Sequence, residues 1–167
     1  MLVSTKGRYA LRLMIRIAND GGEGKVALRE VADREDISLK YLEQLVRPLV
    51  SAGLLHSVRG KGGGYVLAKD PADIRAGDVL RAVEGSTAPV ACAALEDSAS
   101  CPREDECTTV RFWAGLDRVI EDYVDGVTLA DLVGQGDAEP LVDGEAGEWT
   151  LPDELPESCP QAPSQAS

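Results

Sequence analysis

Four of the six residues from 59 to 64 are glycine, in the order Arg59-Gly60-Lys61-Gly62-Gly63-Gly64, and apolar-rich runs flank them at residues 54–58 and 65–67. A turn this rich in glycine serves either as a backbone cradle for phosphates or as the tip of a tight β-hairpin. The cradle needs a G-x-x-x-x-G-K-S/T pattern with a helix directly behind it. That pattern is absent, and Tyr65-Val66-Leu67 reads as a strand. The hairpin reading stands, with the glycines fixing where two strands reverse.

What precedes the hairpin is helical. Ser4 caps a first helix whose apolar positions Ala10, Leu13, Met14, Ile17 and Ala18 recur at helical spacing, and the glycines at 21, 22 and 24 end it. On its other side Arg8, Arg12 and Arg16 repeat every four residues. For Arg12 and Arg16 a solvated face is the better reading than a phosphate-facing ridge. Leu28, Val31 and Ala32 predict a short second helix that breaks at Asp36-Ile37-Ser38, and Ser38 caps a third. In the third helix Leu42, Leu45, Val46 and Leu49 face inward, while Lys40, Tyr41, Glu43, Gln44 and Arg47 include the outward set. Pro48 is expected to bend or locally open it, because proline has no N–H to donate. Helices and hairpin in this order predict a winged helix-turn-helix.

A further short helix is expected over residues 73–84, and a long one after Cys107, where Trp113, Leu116, Ile120 and Tyr123 follow a 3-4-3 spacing. That stripe is either a coiled-coil seam between two copies or a core stripe within one. Gly126 ends the helix with Val127 folding back, and Thr128 with Asp131 starts a last short helix as a capping box. The fold class is thus mainly α with a small β-hairpin wing, a winged helix-turn-helix domain joined to a long dimerisation helix. The expected organisation is a DNA-binding domain over 1–85, a cysteine-containing loop over 86–107, the dimerisation helix with its short terminal helix over 108–134, and an acidic disordered tail over 135–167.

The net charge of −12 looks wrong for a nucleic-acid binder until the chain is divided. Residues 1–85 carry 14 Lys/Arg against 11 Asp/Glu, whereas residues 86–167 carry 3 against 18. A basic domain joined to an acidic remainder can hold its positive face to a polyphosphate while the rest points away. Residues 136–167 contain eight acids, no Lys or Arg and five of the nine prolines, the composition of disorder. No apolar run approaches the roughly 18 residues of a membrane span. With no apolar signal-peptide core at the N-terminus, the expectation is a cytoplasmic protein without membrane association. One histidine, no nucleophile motif and no nucleotide fingerprint leave little from which to build an active site, so an enzyme is not expected.

Three of the four cysteines, Cys92, Cys101 and Cys107, fall within sixteen positions, with eight and five residues between them; Cys159 lies apart in the tail. This spacing is too loose for the paired C-x-x-C of a zinc ribbon, and no histidine is nearby to complete a tetrahedral zinc site. Thiolates in such a loop suit an iron–sulfur cluster better. Cys107 also precedes a helix capped by Thr108 or Thr109, where the positive end of the dipole favours a thiolate. Glu96, Asp97, Glu104, Asp105 and Glu106 outnumber Arg103, which suits cationic iron, although solubility alone accounts for such carboxylates. His56, in the first wing strand, reads as structural.

Several segments together carry a likeness. They are Ser4-Thr5-Lys6-Gly7-Arg8-Tyr9-Ala10, Ile37-Ser38-Leu39-Lys40-Tyr41-Leu42-Glu43-Gln44-Leu45 and Ser57-Val58-Arg59-Gly60-Lys61-Gly62-Gly63-Gly64-Tyr65, followed by Ala76-Gly77-Asp78-Val79 and Arg81-Ala82-Val83-Glu84-Gly85. Over roughly residues 1–134 the chain resembles the Rrf-two (Rrf2) family, the IscR- and NsrR-like iron–sulfur regulators. The resemblance implies homodimeric winged-helix transcription factors on near-palindromic promoter DNA, many with an iron–sulfur cluster, 2Fe-2S or 4Fe-4S, in the dimerisation half. It makes Cys92, Cys101 and Cys107 the expected metal ligands. One branch of the family adds a histidine after the third cysteine, where this chain has Val110, and another a carboxylate near the N-terminus, where it has Arg8; the fourth ligand is unassigned.

Side-chain chemistry then distributes the DNA contacts. Near the start of a recognition helix, Glu43 can only accept and suits cytosine N4–H, Gln44 both donates and accepts and suits adenine, and Tyr41 offers a ring face and a hydroxyl. Lys40 and the Ser38 hydroxyl are expected on phosphates. Arg59 suits a narrow minor groove, Gly60 permits close backbone approach, and Lys61 adds a phosphate contact. The family resemblance implies that Lys6 and Tyr9 brace the backbone from the start of the first helix. A regulator that lacks a cluster and works by a thiol/disulfide switch or zinc remains the alternative.

Overall fold

Two serine caps begin the helices that matter most. The Ser4 side chain accepts from the Lys6 amide at 3.0 Å and opens α1 (Thr5–Asp20), and Ser38 accepts from the Tyr41 amide at 3.3 Å and opens α3 (Leu39–Ser51). Between them lies α2 (Leu28–Glu35), which stops at Asp36 in the left-handed conformation with φ 53°. Asp36 is the single non-glycine residue with positive φ among the described residues. The computed structural model describes residues 4–21, 24–60, 62–90 and 107–133. Within α3 the helix runs unbroken through Pro48, and Leu42, Leu45, Val46 and Leu49 are buried as the spacing predicts.

The hairpin follows at once. β1 (Leu55–Val58) pairs antiparallel with β2 (Gly64–Leu67), in the register Leu55 opposite Leu67 and Val58 opposite Gly64. A third strand position is supplied from the segment before α2. The Val26 amide donates to the Tyr65 carbonyl at 2.9 Å, and the Tyr65 amide donates back to Val26 at 2.8 Å. Gly64 makes this possible, since a Cβ there would stand 2.5 Å from the Val26 carbonyl oxygen.

The second half begins with a 3₁₀ turn (Pro71–Asp73) and continues with α4 (Ala76–Glu84), α5 (Val110–Gly126) and α6 (Leu129–Val133). The helix expected over 73–84 starts at Ala76 instead, because Ile74 and Arg75 are extended and paired with a distant segment. The Ala76 amide donates to the Val127 carbonyl at 2.9 Å, and the Leu129 amide donates to Ile74 at 2.7 Å. The capping box opening α6 forms as read. Thr128 donates to the Asp131 carboxylate through its amide and hydroxyl at 2.9 and 2.6 Å, and Asp131 donates back to the hydroxyl at 3.2 Å.

One core joins Ala10, Leu13, Met14 and Ile17 of α1 to the inward faces of α2 and α3, to Leu54 and Leu55, and to Ile74 and Val79. Leu129 of α6 is part of it, only 1% exposed. Although it follows α5 in sequence, α6 packs back on α1 and completes the N-terminal domain. α5 is different, with Val124 its one buried residue and Phe112 and Tyr123 55% and 47% exposed. Gly77 lets α4 and α5 approach, because a Cβ there would overlap the Asp125 carboxylate, which accepts from Arg81 at 2.5 Å. Arg75 also donates to the Asp125 carbonyl.

Removing the Leu129 side chain therefore hollows the core that α6 shares with α1, α2 and α3. Leu129→Ala is expected to destabilise the chain by about 2–5 kcal/mol in urea denaturation, the range for leucine truncation in a packed core. An unchanged midpoint would show that α6 does not belong to that core.

Candidate nucleic-acid interface and cysteine segment

The structure brings the start of α1 beside the start of α3. The rings of Tyr9 and Tyr41 meet edge to face, with centroids 5.9 Å apart, and both residues are half-buried against the core. Around them Lys6, Ser38, Lys40, Glu43 and Gln44 are exposed. The Ser38 hydroxyl accepts from the Tyr41 amide as a cap, which leaves its proton available to donate outward. Arg59 and Gly60 are exposed at the wing tip, Gly60 with φ 116°, and Gly62 follows with φ 74°. These positive angles are ones that glycine adopts without steric cost. Lys61 lies outside the described residues.

The arginine row of α1 divides by partner. Arg12 and Arg16 converge on Glu35 at the end of α2. Arg12 donates at 2.8 Å and Arg16 at 3.0 and 2.8 Å to its carboxylate, and Arg12 also reaches the Glu35 carbonyl at 3.0 Å. Burial pushes the Glu35 carboxyl up, but the two guanidinium groups more than offset this and hold it below its ordinary value. Both arginines are thus engaged with Glu35, and together they join α1 to α2. The Arg12 guanidinium also lies 5.6 Å from the Tyr9 ring centre, and exposed Arg8 lies 5.9 Å from it.

Composition and periodicity gave no hint of the role of Glu84. Its carboxylate oxygen Oε1 accepts from the Ser4 hydroxyl at 2.6 Å, the Gly7 amide at 2.9 Å and the Ser4 amide at 3.1 Å. Burial pushes this carboxyl up, yet the Ser4 and Gly7 bonds and nearby Lys6 bring it below its ordinary value. A signal was present, since an acid in the last turn of α4 opposes that helix's own dipole and calls for a partner elsewhere.

Of the cysteines, Cys107 alone is described; Cys92 and Cys101, with the acidic residues between them, lie outside the described residues. Cys107 is partly exposed, two residues before the N-cap Thr109, and its Sγ stands 3.5 Å from the Thr109 hydroxyl. That hydroxyl and the amides of Thr109 and Val110 hold the thiol below its ordinary range, against a push upward from burial. Among the described residues no three His, Cys, Asp or Glu side chains gather as a metal site. Val110, in the first turn of α5, has no ligand atom, and His56 is exposed on β1. No described helix is long and apolar enough to cross a membrane.

This architecture has counterparts. The profile of the Rrf2 family, described as an iron-dependent transcriptional regulator, matches residues 3–135. The chain belongs to the Rrf2 family. It is 42% identical over 139 residues to the HTH-type transcriptional regulator CymR of Bacillus subtilis (strain 168), covering 83% of this chain and 94% of that protein. It is 40% identical over 143 residues to the HTH-type transcriptional regulator IscR of Serratia proteamaculans (strain 568), covering 86% and 85%. The solved structure of CymR, the global cysteine regulator of B. subtilis, superposes with a TM-score of 0.67 over 82% of this chain and 99% of that one. The structure of T. potens IscR is 38% identical and superposes with a TM-score of 0.65 over 86% and 94%. The chain is accordingly a DNA-binding transcriptional regulator of the winged-helix type, and relatives of this Rrf2-family protein are regulators rather than enzymes.

The Glu35 clamp gives a pH dependence with a definite sign. With the folded-state pKa below the ordinary 4.5, the unfolded chain takes up the proton first. The clamp's stabilisation is complete above that value and is lost as pH falls through the folded-state value. Glu35→Gln should flatten the acid limb of the stability curve without steepening it elsewhere, as read by thermal melts between pH 3 and 7.

Proposed function

We propose that the protein acts as a homodimer on promoter DNA, placing α3 in the major groove and the wing against the minor groove. The observation that carries this is the open outer face of the first turns of α3, set beside Tyr9 and followed by an exposed arginine on a glycine tip. On that face Glu43 accepts from a cytosine amino group and Gln44 pairs with adenine, while Lys6, Ser38, Lys40 and Lys61 hold phosphates. Tyr9 and Tyr41 brace the two helices against the backbone. Residues 1–85 with α6 form the DNA-binding unit. The half-exposed stripe Trp113, Leu116, Ile120 and Tyr123 of α5 supplies the seam for a second copy, which sets two recognition helices on one side of the duplex.

The cysteine segment is the sensor in this reading. Cys92, Cys101 and Cys107 hold an iron–sulfur cluster, 2Fe-2S or 4Fe-4S, whose fourth ligand is not Val110. Support comes from the lowered Cys107 thiol and from the family's description as iron-dependent. Bound there, the cluster would supply redox chemistry and iron open to attack by oxygen or nitric oxide. Cys107 would be one of its ligands at the foot of α5, where the bonds from Thr109 and Val110 favour the thiolate. A second reading has its own support, since the CymR relative is a global cysteine regulator. A thiol/disulfide switch or zinc at the same residues would use the same lowered thiol. Anaerobic purification with visible absorption and iron and sulfide analysis decides between them. Stoichiometric iron and sulfide supports the cluster, and a colourless, iron-free protein after reconstitution would overturn it.

For the wing, Arg59→Ala should weaken binding to a duplex selected in vitro by the wild-type protein by about fivefold or more, on the order of 1 kcal/mol. Fluorescence anisotropy reads this directly. Unchanged affinity would remove the wing from the groove.

A further inference from the structure

Glu84 is the last residue of α4, and beyond it the chain runs toward the cysteine segment. Its carboxylate nevertheless reaches back about eighty residues in sequence and closes the first turn of α1 with three bonds of 2.6, 2.9 and 3.1 Å. Nothing else described ties that turn down so directly. Ser4 caps the helix through the Lys6 amide, and the cap is itself held by Glu84. Lys6 is exposed on this turn, and Tyr9 follows three residues later with its ring against Tyr41 of α3. The position of one exposed cation and one aromatic bracket relative to α3 therefore depends on a carboxylate from a different helix.

We propose that Glu84 is a positioning residue for DNA binding: it fixes the first turn of α1 so that Lys6 meets a phosphate while Tyr9 stays against Tyr41. Glu84 bonds Ser4 and Gly7 in the helical turn just ahead of Tyr9, whose ring meets Tyr41. This rests on the DNA contacts proposed above.

A double-mutant cycle tests it on the full chain. Affinity would be measured by anisotropy at several salt concentrations for wild type, Glu84→Gln, Lys6→Ala and the double variant, on an in-vitro-selected duplex and on a non-specific one. Loss of one phosphate contact lowers the salt slope by about 0.9 on duplex DNA. Glu84→Gln is expected to weaken binding severalfold and to remove about that one unit of slope, and to do nothing further once Lys6 is alanine. Ser4→Ala, which deletes the 2.6 Å bond to Glu84 together with the cap on the Lys6 amide, should show the same pattern. A role in stability alone would appear as a lowered melting temperature, with an affinity loss that persists in the Lys6→Ala background; that additivity overturns the proposal, as does an unchanged salt slope in Glu84→Gln. If Lys6→Ala itself binds as wild type does, the phosphate contact is absent and Glu84 has nothing there to position, which overturns this inference while leaving the Arg59 result to judge the wider reading.

Discussion

Two backbone hydrogen bonds, from Ala76 to Val127 and from Leu129 to Ile74, decide how the second half of the chain relates to the first. They pin the end of α5 to the segment that introduces α4, and they deliver Leu129 into the core beside α1. Arg75 and Arg81 add polar contacts to Asp125 at the same place, and Gly77 keeps the gap between α4 and α5 narrow enough for them. A helix that buries little of its own surface thereby acquires a fixed direction. Any partner that docks along α5 inherits that direction and meets the DNA-binding domains at a set angle.

The charge distribution serves the same separation of tasks. Counting cations overstates the surface offered to nucleic acid, because Arg12 and Arg16 are engaged with Glu35, Arg34 with Asp20, and Arg81 with Asp125. Those pairs hold helices together. The exposed cations on and near the proposed DNA face, Lys6, Lys40 and Arg59 among them, are fewer than the basic count of residues 1–85 implies. They are spread over three elements, so orientation on the duplex rests on how rigidly those elements are joined.

Much of this was legible in the sequence where the determinants are local. The caps at Ser4 and Ser38, the inward stripe of α3, the glycine hairpin and the Thr128–Asp131 box each depend on a handful of consecutive residues, and each forms as read. Features set by distant partners were not. The start of α4 shifts to Ala76 because Ile74 and Arg75 pair with residues some fifty positions away. Arg12 and Arg16 read as solvated side chains because nothing in α1 points to Glu35. Glu84 entered the sequence reading only as the end of a helix and as part of the family likeness, although its place at the wrong end of its own helix carried the clue. The candidate site was legible in its residue types on α3 and the wing, whereas the bracing of α1 behind them was not. Lys61, Cys92 and Cys101 stand outside the described residues, so their part in the reading rests on sequence.

The bridge between Val26 and Tyr65 has a consequence for the thermodynamics of recognition. A two-stranded hairpin alone is marginal in water. Here the second residue of β2, close to the turn, is stitched to the segment leading into α2, so the backbone of that strand is ordered when the domain folds and not when a ligand arrives. Groups that are already immobile lose less conformational entropy on association. The strand that leads out of the turn is therefore set in place before any ligand is met.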